Sequence, residues 1–172
     1  LRMVCRFEGS YAMLSERKDI PWNITFADEG GISCWMELVR LVVDGFPYLC
    51  ENEYIGVLKQ KIEAKEALIL KDGNTAVGIL LFSSETGSID FMGSHPLYRK
   101  KGIPRAFLHK VMGELMKGKE ISITTYREGD RADTGQRKQI QGLGFAEAEL
   151  LVEYGYPTQR FILPQEENNN GQ

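Results

Sequence analysis

At Glu66 the spacing of apolar residues changes from helical to alternating, so a fold for this chain has to combine helices with a sheet. Upstream, Ile32, Trp35, Met36, Leu38, Val39, Val42 and Val43 recur at helical spacing after the turn Asp28-Glu29-Gly30-Gly31. A short strand over Asn23–Ala27 precedes that turn, and Asp44-Gly45-Phe46-Pro47 closes the helix. A second helix over Glu51–Ala64 carries Tyr54, Ile55, Leu58 and Ile62 on one stripe. Downstream, Ala67–Lys71, a turn at Asp72-Gly73-Asn74 and Thr75–Ser83, with its run Val77-Gly78-Ile79-Leu80-Leu81-Phe82, read as a hairpin. Glu85-Thr86-Gly87 turns the chain into a strand over Ser88–Ser94. A helix then starts near Pro104, with Phe107, Leu108, Val111, Met112 and Leu115 on its apolar stripe. Ile121–Thr125 reads as a strand, Asp133–Gly142 as a short helix, and Ala146–Glu153 and Gln159–Leu163 as late strands.

The order β-α-α-β-β-β-α-β-α-β-β predicts one α/β (α+β) domain, a mixed central sheet flanked by about four helices. With 172 residues, 42% of them hydrophobic, the chain can bury a full core without disulfide or metal staples. Three cysteines without CxxC spacing suggest neither a disulfide framework nor a zinc site, and fit a reducing cytoplasm. A net charge of -3 argues against nucleic acid or anionic lipid as an obligatory partner. No apolar run approaches the ~20 residues of a membrane span, and Leu1–Glu8 lacks the apolar core of a signal peptide, so the sequon Asn23-Ile24-Thr25 carries no weight. Residues 1–22 read as an N-terminal extension and 164–172 as a disordered polar tail. Nothing in the sequence specifies an oligomeric state.

Ile89–Leu115 carries the chemistry. A strand ends in a short basic loop, and a helix begins directly after Gly102. The first amides of that helix lack intrahelical partners and sit at the positive end of its dipole. With Arg99, Lys100, Lys101 and Arg105 they form an anion site suited to a pyrophosphate. The same residues are equally compatible with an ordinary strand-to-helix turn carrying solvated lysines.

The run Ser94-His95-Pro96-Leu97-Tyr98-Arg99-Lys100-Lys101-Gly102-Ile103-Pro104 resembles the coenzyme A signature of the GNAT N-acetyltransferases, Val-x-Pro-x-Tyr-Arg-x-x-Gly-x-Gly/Ala followed by a helix. The resemblance extends over roughly residues 23–163, through the strand order, the paired helices after the first strand and Leu143-Gly144-Phe145 before a late strand. It implies a single domain with a splayed strand pair at the cofactor site and acetyl-CoA as co-substrate, without a metal. It also implies that the amides of Lys100, Lys101, Gly102, Ile103 and Arg105 hold the pyrophosphate. Pantetheine would pair with the preceding strand through the main chain of Met92 and Ser94, the Met92 amide polarising the thioester carbonyl. Gly93 between them suits a bulge or a close backbone approach.

Two departures bear on activity. Pro104 stands where the family has Gly or Ala and removes one N–H. Ile140 stands four residues before Gly144, where the family often places a tyrosine that protonates the leaving thiolate. A thiol has a reference pKa of about 8.5, so thiolate leaves near neutral pH with little help; Tyr126, Tyr154 or Tyr156 are substitutes, although each is more often a packing aromatic. An acceptor amine, with reference pKa near 10.4, must lose its proton before attack. Asp90 is the candidate base, an acid within an apolar strand that shares alternation with Met92 and Ser94. The family's base usually lies two residues earlier, at Ser88 here, and Glu85 in the preceding turn is a second candidate. The expected function is acetyl transfer to the primary amine of a small molecule or peptide. The alternative is a non-catalytic acyl-CoA-binding module.

Other signals are discounted. Gly113–Glu120 resembles a P-loop but continues a helix and ends in Glu120 instead of a hydroxyl residue. His95 and His109 lack the spacing of a metal pair, and Ser94 beside His95 lacks a nucleophile elbow. Phe46-Pro47-Tyr48 and Tyr154-Gly155-Tyr156-Pro157 are loop aromatics that either flank an acceptor groove or pack over a sheet edge.

Overall fold

A computed structural model describes residues 23–43 and 50–164. The expected N-terminal extension, the helix stop and aromatics within 44–49, and the tail beyond Pro164 lie outside the described residues. Along the chain come β1 (Ile24–Phe26), α1 (Ile32–Val42), α2 (Glu51–Glu63), β2 (Ala67–Asp72), β3 (Thr75–Ser83), β4 (Ser88–Ser94), α3 (Ile103–Lys110), β5 (Ile121–Tyr126), α4 (Gln136–Gly142), β6 (Ala146–Glu153) and β7 (Tyr156–Leu163). The strands form one sheet in the order β1-β2-β3-β4-β5-β7-β6. Every neighbouring pair is antiparallel except β4–β5, whose parallel pairing requires the crossover that α3 supplies.

The apolar run of β3 is buried throughout because α1, α2 and α3 all pack on this strand. A Cβ on Gly78 would stand 2.6 Å from both Ile103 and Phe107 of α3, whereas one on Gly93, paired with Ile79, would meet Val42 of α1 at 3.2 Å. Because successive strand residues face opposite sides, α1 and α3 therefore cover opposite faces of the sheet. Gly78 lets α3 settle directly on the backbone of β3, a close approach that the run Val77–Phe82 conceals in the sequence.

Within the described residues the predicted elements appear, and three of their boundaries move by more than one residue. The helix expected to run through Leu115 ends as α3 at Lys110 and continues as a π-helical turn over Val111–Leu115. The helix expected from Asp133 starts at Gln136, because the Asp133 carboxylate accepts from the amides of Gly135 and Arg137 and organises the approach. β7 begins at Tyr156, not Gln159, because a two-residue loop brings it straight back onto β6, with Glu153 opposite Tyr156. Pro157 is tolerated there because it lies past the last β5 pair, Tyr126 with Thr158. Among the described residues no helix is long and apolar enough to cross a membrane.

Gly87 closes the start of the β4–β5 pair at φ 71°, and a Cβ there would lie 2.2 Å from the carbonyl oxygen of Glu120. Gly87→Ala therefore combines left-handed strain with a backbone clash and is expected to lower stability by about 3 kcal/mol. Gly73→Ala, at φ 59° with nothing within 4 Å, should lose only about 1 kcal/mol. Urea unfolding of both variants checks the contrast; equal losses would show that the clash with Glu120 is absent.

Candidate active site

The site begins with an irregularity in β4. Leu81 pairs with Phe91 and Phe82 with Ile89, which leaves Asp90 without a partner of its own on β3. Asp90 is thus the extra residue of a β-bulge, and a bulge bends the strand and increases its twist. It also changes which residues share a face. Asp90 lies with Ser88 and Ser83 on the α2 side, while Met92, opposite Leu80, faces the α3 side with Ser94, opposite Gly78. The alternation expected to group Asp90 with Met92 and Ser94 is therefore broken. The bulge is at Asp90 rather than Gly93, which stays in the regular ladder and serves the close approach to Val42.

After the bulge β4 leaves β5. The two strands pair only at Ser88–Ser122 and Ile89–Ile123, with the Ser122 N–H donating to the Gly87 carbonyl at 2.9 Å, whereas β5 stays paired with β7 from Ile121 to Tyr126. A wedge opens between them. The His95 N–H donates to the Val77 carbonyl at 2.8 Å and fixes the phase of the β3–β4 ladder. By antiparallel alternation, the N–H and C=O groups of Met92 and Ser94 then point away from β3, toward the wedge.

The basic loop lies where β4 leaves the sheet. Tyr98 donates its hydroxyl to Asp72 at the end of β2, packs edge-on to His95 and carries the Lys101 ammonium 5.9 Å from its ring centroid. These contacts tie the loop to the hairpin. Lys100 and Gly102 take left-handed conformations, φ 65° and 75°, and turn the chain into α3. The Ala106 N–H closes the first helical bond onto the Gly102 carbonyl, which leaves the amides of Gly102, Ile103 and Arg105 facing outward from the helix start. Pro104 contributes none. In the same turn the Arg105 Nε is buried without a protein partner. An orphaned cationic donor beside outward amides fits a phosphate group, so the residues present suit the diphosphate end of coenzyme A.

On the α2 side of the bulge lies a cavity of about 270 Å³. Asp90 is held in its wall: one carboxylate oxygen accepts from Ser88, the other from Ser83, with the Lys61 ammonium at 3.0 Å. Lys61 donates in addition to the Phe82 carbonyl at 2.6 Å and to Ser83 at 2.7 Å, and Glu66 lies 3.5 Å away. Tyr54, Val57, Leu81 and Phe91 supply the apolar lining, and Tyr154 of the β6–β7 turn borders the cavity. The second sequence candidate, Glu85, is exposed in its turn and does not line the cavity. Sequence reading missed Lys61. The available signal was its place at helical spacing after Tyr54 and Leu58, on the face of α2 that packs inward.

Ile140 is fully buried in α4, so no proton donor stands at that position. Of the tyrosines considered instead, Tyr156 donates to Asp130 at 2.6 Å, and this bond, with burial, holds its pKa up at about 12. That makes it a weaker acid than an ordinary tyrosine. Tyr126 is buried edge-on against Tyr156. Among the described residues no cluster of three His, Cys, Asp or Glu side chains is arranged to hold a metal ion.

By sequence, no family model and no curated protein matches the chain. Its structure, however, is similar to several solved acetyltransferases. Ribosomal-protein-S18-alanine N-acetyltransferase from Escherichia coli superposes with TM-score 0.63 at 13% identity, over 86% of this chain and 97% of that one. Ard1 from Thermoplasma volcanium gives 0.62 at 12% identity, over 83% and 97%. A GNAT-family acetyltransferase from Bacillus cereus ATCC 10987 gives 0.61 at 17% identity, over 82% and 95%. Strand order, a parallel pair that parts after two residue pairs, and a basic turn at the start of α3 thus occur together among the described residues, and the chain has the fold of the GNAT acetyltransferases.

Proposed function

We propose that this protein is an acetyl-CoA-dependent N-acetyltransferase that transfers an acetyl group to a primary amine by direct attack. The observation that carries the reading is the juxtaposition at residues 90–92. Asp90 lines a cavity on one face of β4, while the Met92 main chain is directed into the wedge beside the same strand. A nucleophile in the cavity and an acyl group in the wedge would meet across two residues. The free thiols of Cys34 and Cys50 fit a reducing cytoplasm as the place of action.

Acetyl-CoA, when bound, supplies the thioester whose C–S bond is exchanged for a C–N bond. The amides of Lys100, Lys101, Gly102, Ile103 and Arg105, with the Arg99 and Arg105 side chains, hold the diphosphate. Main-chain groups of Ser94 and Met92 align the pantetheine arm, and the Met92 N–H polarises the acyl carbonyl as negative charge develops on its oxygen. Asp90 accepts a proton from the amine as the nitrogen attacks, leaving the product an amide and the departing sulfur a thiolate. Lys61, Ser83 and Ser88 keep the carboxylate aimed into the cavity. Orientation supplies much of the acceleration, and no covalent enzyme intermediate is required.

Calorimetric titration with acetyl-CoA should give saturable binding, and Arg105→Gln should weaken it roughly tenfold. A flat trace at millimolar acetyl-CoA would remove the basis of the proposal. In thiol-release assays with an amine panel, Asp90→Asn should lower kcat roughly 100-fold while leaving acetyl-CoA affinity unchanged. Undiminished turnover in that variant would take Asp90 out of proton transfer. Tight binding with no turnover of any amine would favour the non-catalytic acyl-CoA module.

A further inference from the structure

The tip of the β6–β7 hairpin breaks a conformational rule. Glu153 pairs with Tyr156, so the loop consists of Tyr154 and Gly155 alone, at φ 51° and 76°. Positive φ at both central residues is the pattern of a type I′ turn, whose first position favours Asn, Asp or Gly because a Cβ with a bulky ring is strained there. A tyrosine in this place is a local cost that the hairpin itself does not need. Nor does Tyr154 pack into the core, for it is 81% exposed. Its residue nevertheless forms part of the wall of the cavity that holds Asp90. Strain of this kind, kept where a site is built, points to a role for the side chain.

The rest of the cavity narrows that role. Its volume, about 270 Å³, lies just under the range of pockets that enclose drug-sized ligands. Two further rings line it, Tyr54 and Phe91, edge to face with centroids 5.6 Å apart, and the Trp35 indole donates to the Tyr54 hydroxyl at 3.0 Å, which fixes that ring in place. The charges in the wall cancel. Lys61 is spent on Asp90, Ser83 and a main-chain carbonyl, so among the described lining residues no other cation is present to receive a substrate carboxylate. Asp90 already accepts from two hydroxyls and lies against an ammonium, leaving room for one amine group and not for a polycation.

We infer that the acceptor is a compact arylalkyl monoamine carrying no carboxylate, and that Tyr154 is a specificity-determining residue that covers its aromatic body. The inference rests on the acetyltransferase reading and deepens it. The amine end meets Asp90, and the apolar body fills the space between Tyr54, Phe91 and Tyr154, where ring contacts and cation–π attraction favour it.

The test is thiol release from acetyl-CoA by the full chain, with phenethylamine compared against spermidine, phenylalanine and an alanine-terminated heptapeptide. Phenethylamine should exceed each of the others in kcat/KM by roughly tenfold or more. Tyr154→Asn should raise the KM for phenethylamine roughly tenfold with little change in kcat or in acetyl-CoA affinity. Because asparagine accepts the left-handed conformation, the variant should melt no lower than the parent, which separates lost recognition from lost folding. Preference for the peptide, the polyamine or the amino acid would overturn the inference and leave acetyl transfer standing, as would an unchanged KM in Tyr154→Asn. Absence of turnover with every amine at saturating acetyl-CoA would overturn both.

Discussion

The separation of β4 from β5 is the constraint on which the site depends. Parallel pairing holds for two residue pairs and then stops, because the two strands answer to different neighbours. β5 is held along its full length by β7, while the bulge at Asp90 bends β4 and keeps it on β3. Backbone groups that would otherwise complete a ladder are left directed into the gap. In the proposed complex they would form the edge along which an extended ligand pairs as a strand would.

The same bulge couples two environments. By inserting one residue it puts Asp90 on the α2 face and returns Met92 to the α3 face, so neighbouring residues of one strand serve a polar cavity and a main-chain wedge. Holding a carboxylate in a half-buried wall is costly unless it is paired. Lys61 and the hydroxyls of Ser83 and Ser88 meet that requirement from α2, β3 and β4 together. The cavity is therefore a product of packing between elements distant in sequence, and Tyr154 adds a fourth element from the far end of the sheet.

Glycines set several of these distances. Gly87 lets β4 start within reach of Glu120, Gly78 lets α3 rest on β3, and together they fix where the helix start lies relative to the strand end. The π-helical turn after α3 absorbs the remaining mismatch before β5. For the proposed reaction rigid placement matters, because attack on an acyl carbon is sensitive to displacements of about 1 Å.

Local chemistry made much of this legible in the sequence. The period change at Glu66, the stripe on α1 and the turn residues around Gly73 determined the elements, since each depends on near neighbours in the chain. The basic turn from Arg99 to Arg105 could be read as a candidate anion site for the same reason: its donors come from one loop and the helix it opens. Tertiary structure alone decided the rest. A bulge is a relation between two strands, and the apolar run of β3 gives no sign of where its register with β4 shifts, so Asp90 was grouped with the wrong face. Lys61 lies 29 positions before Asp90 in the chain, and only the packing of α2 across the sheet brings their charges together. The sequence names the groups that can bind and react; which of them share a space is set by strand register and helix packing, which are long-range quantities.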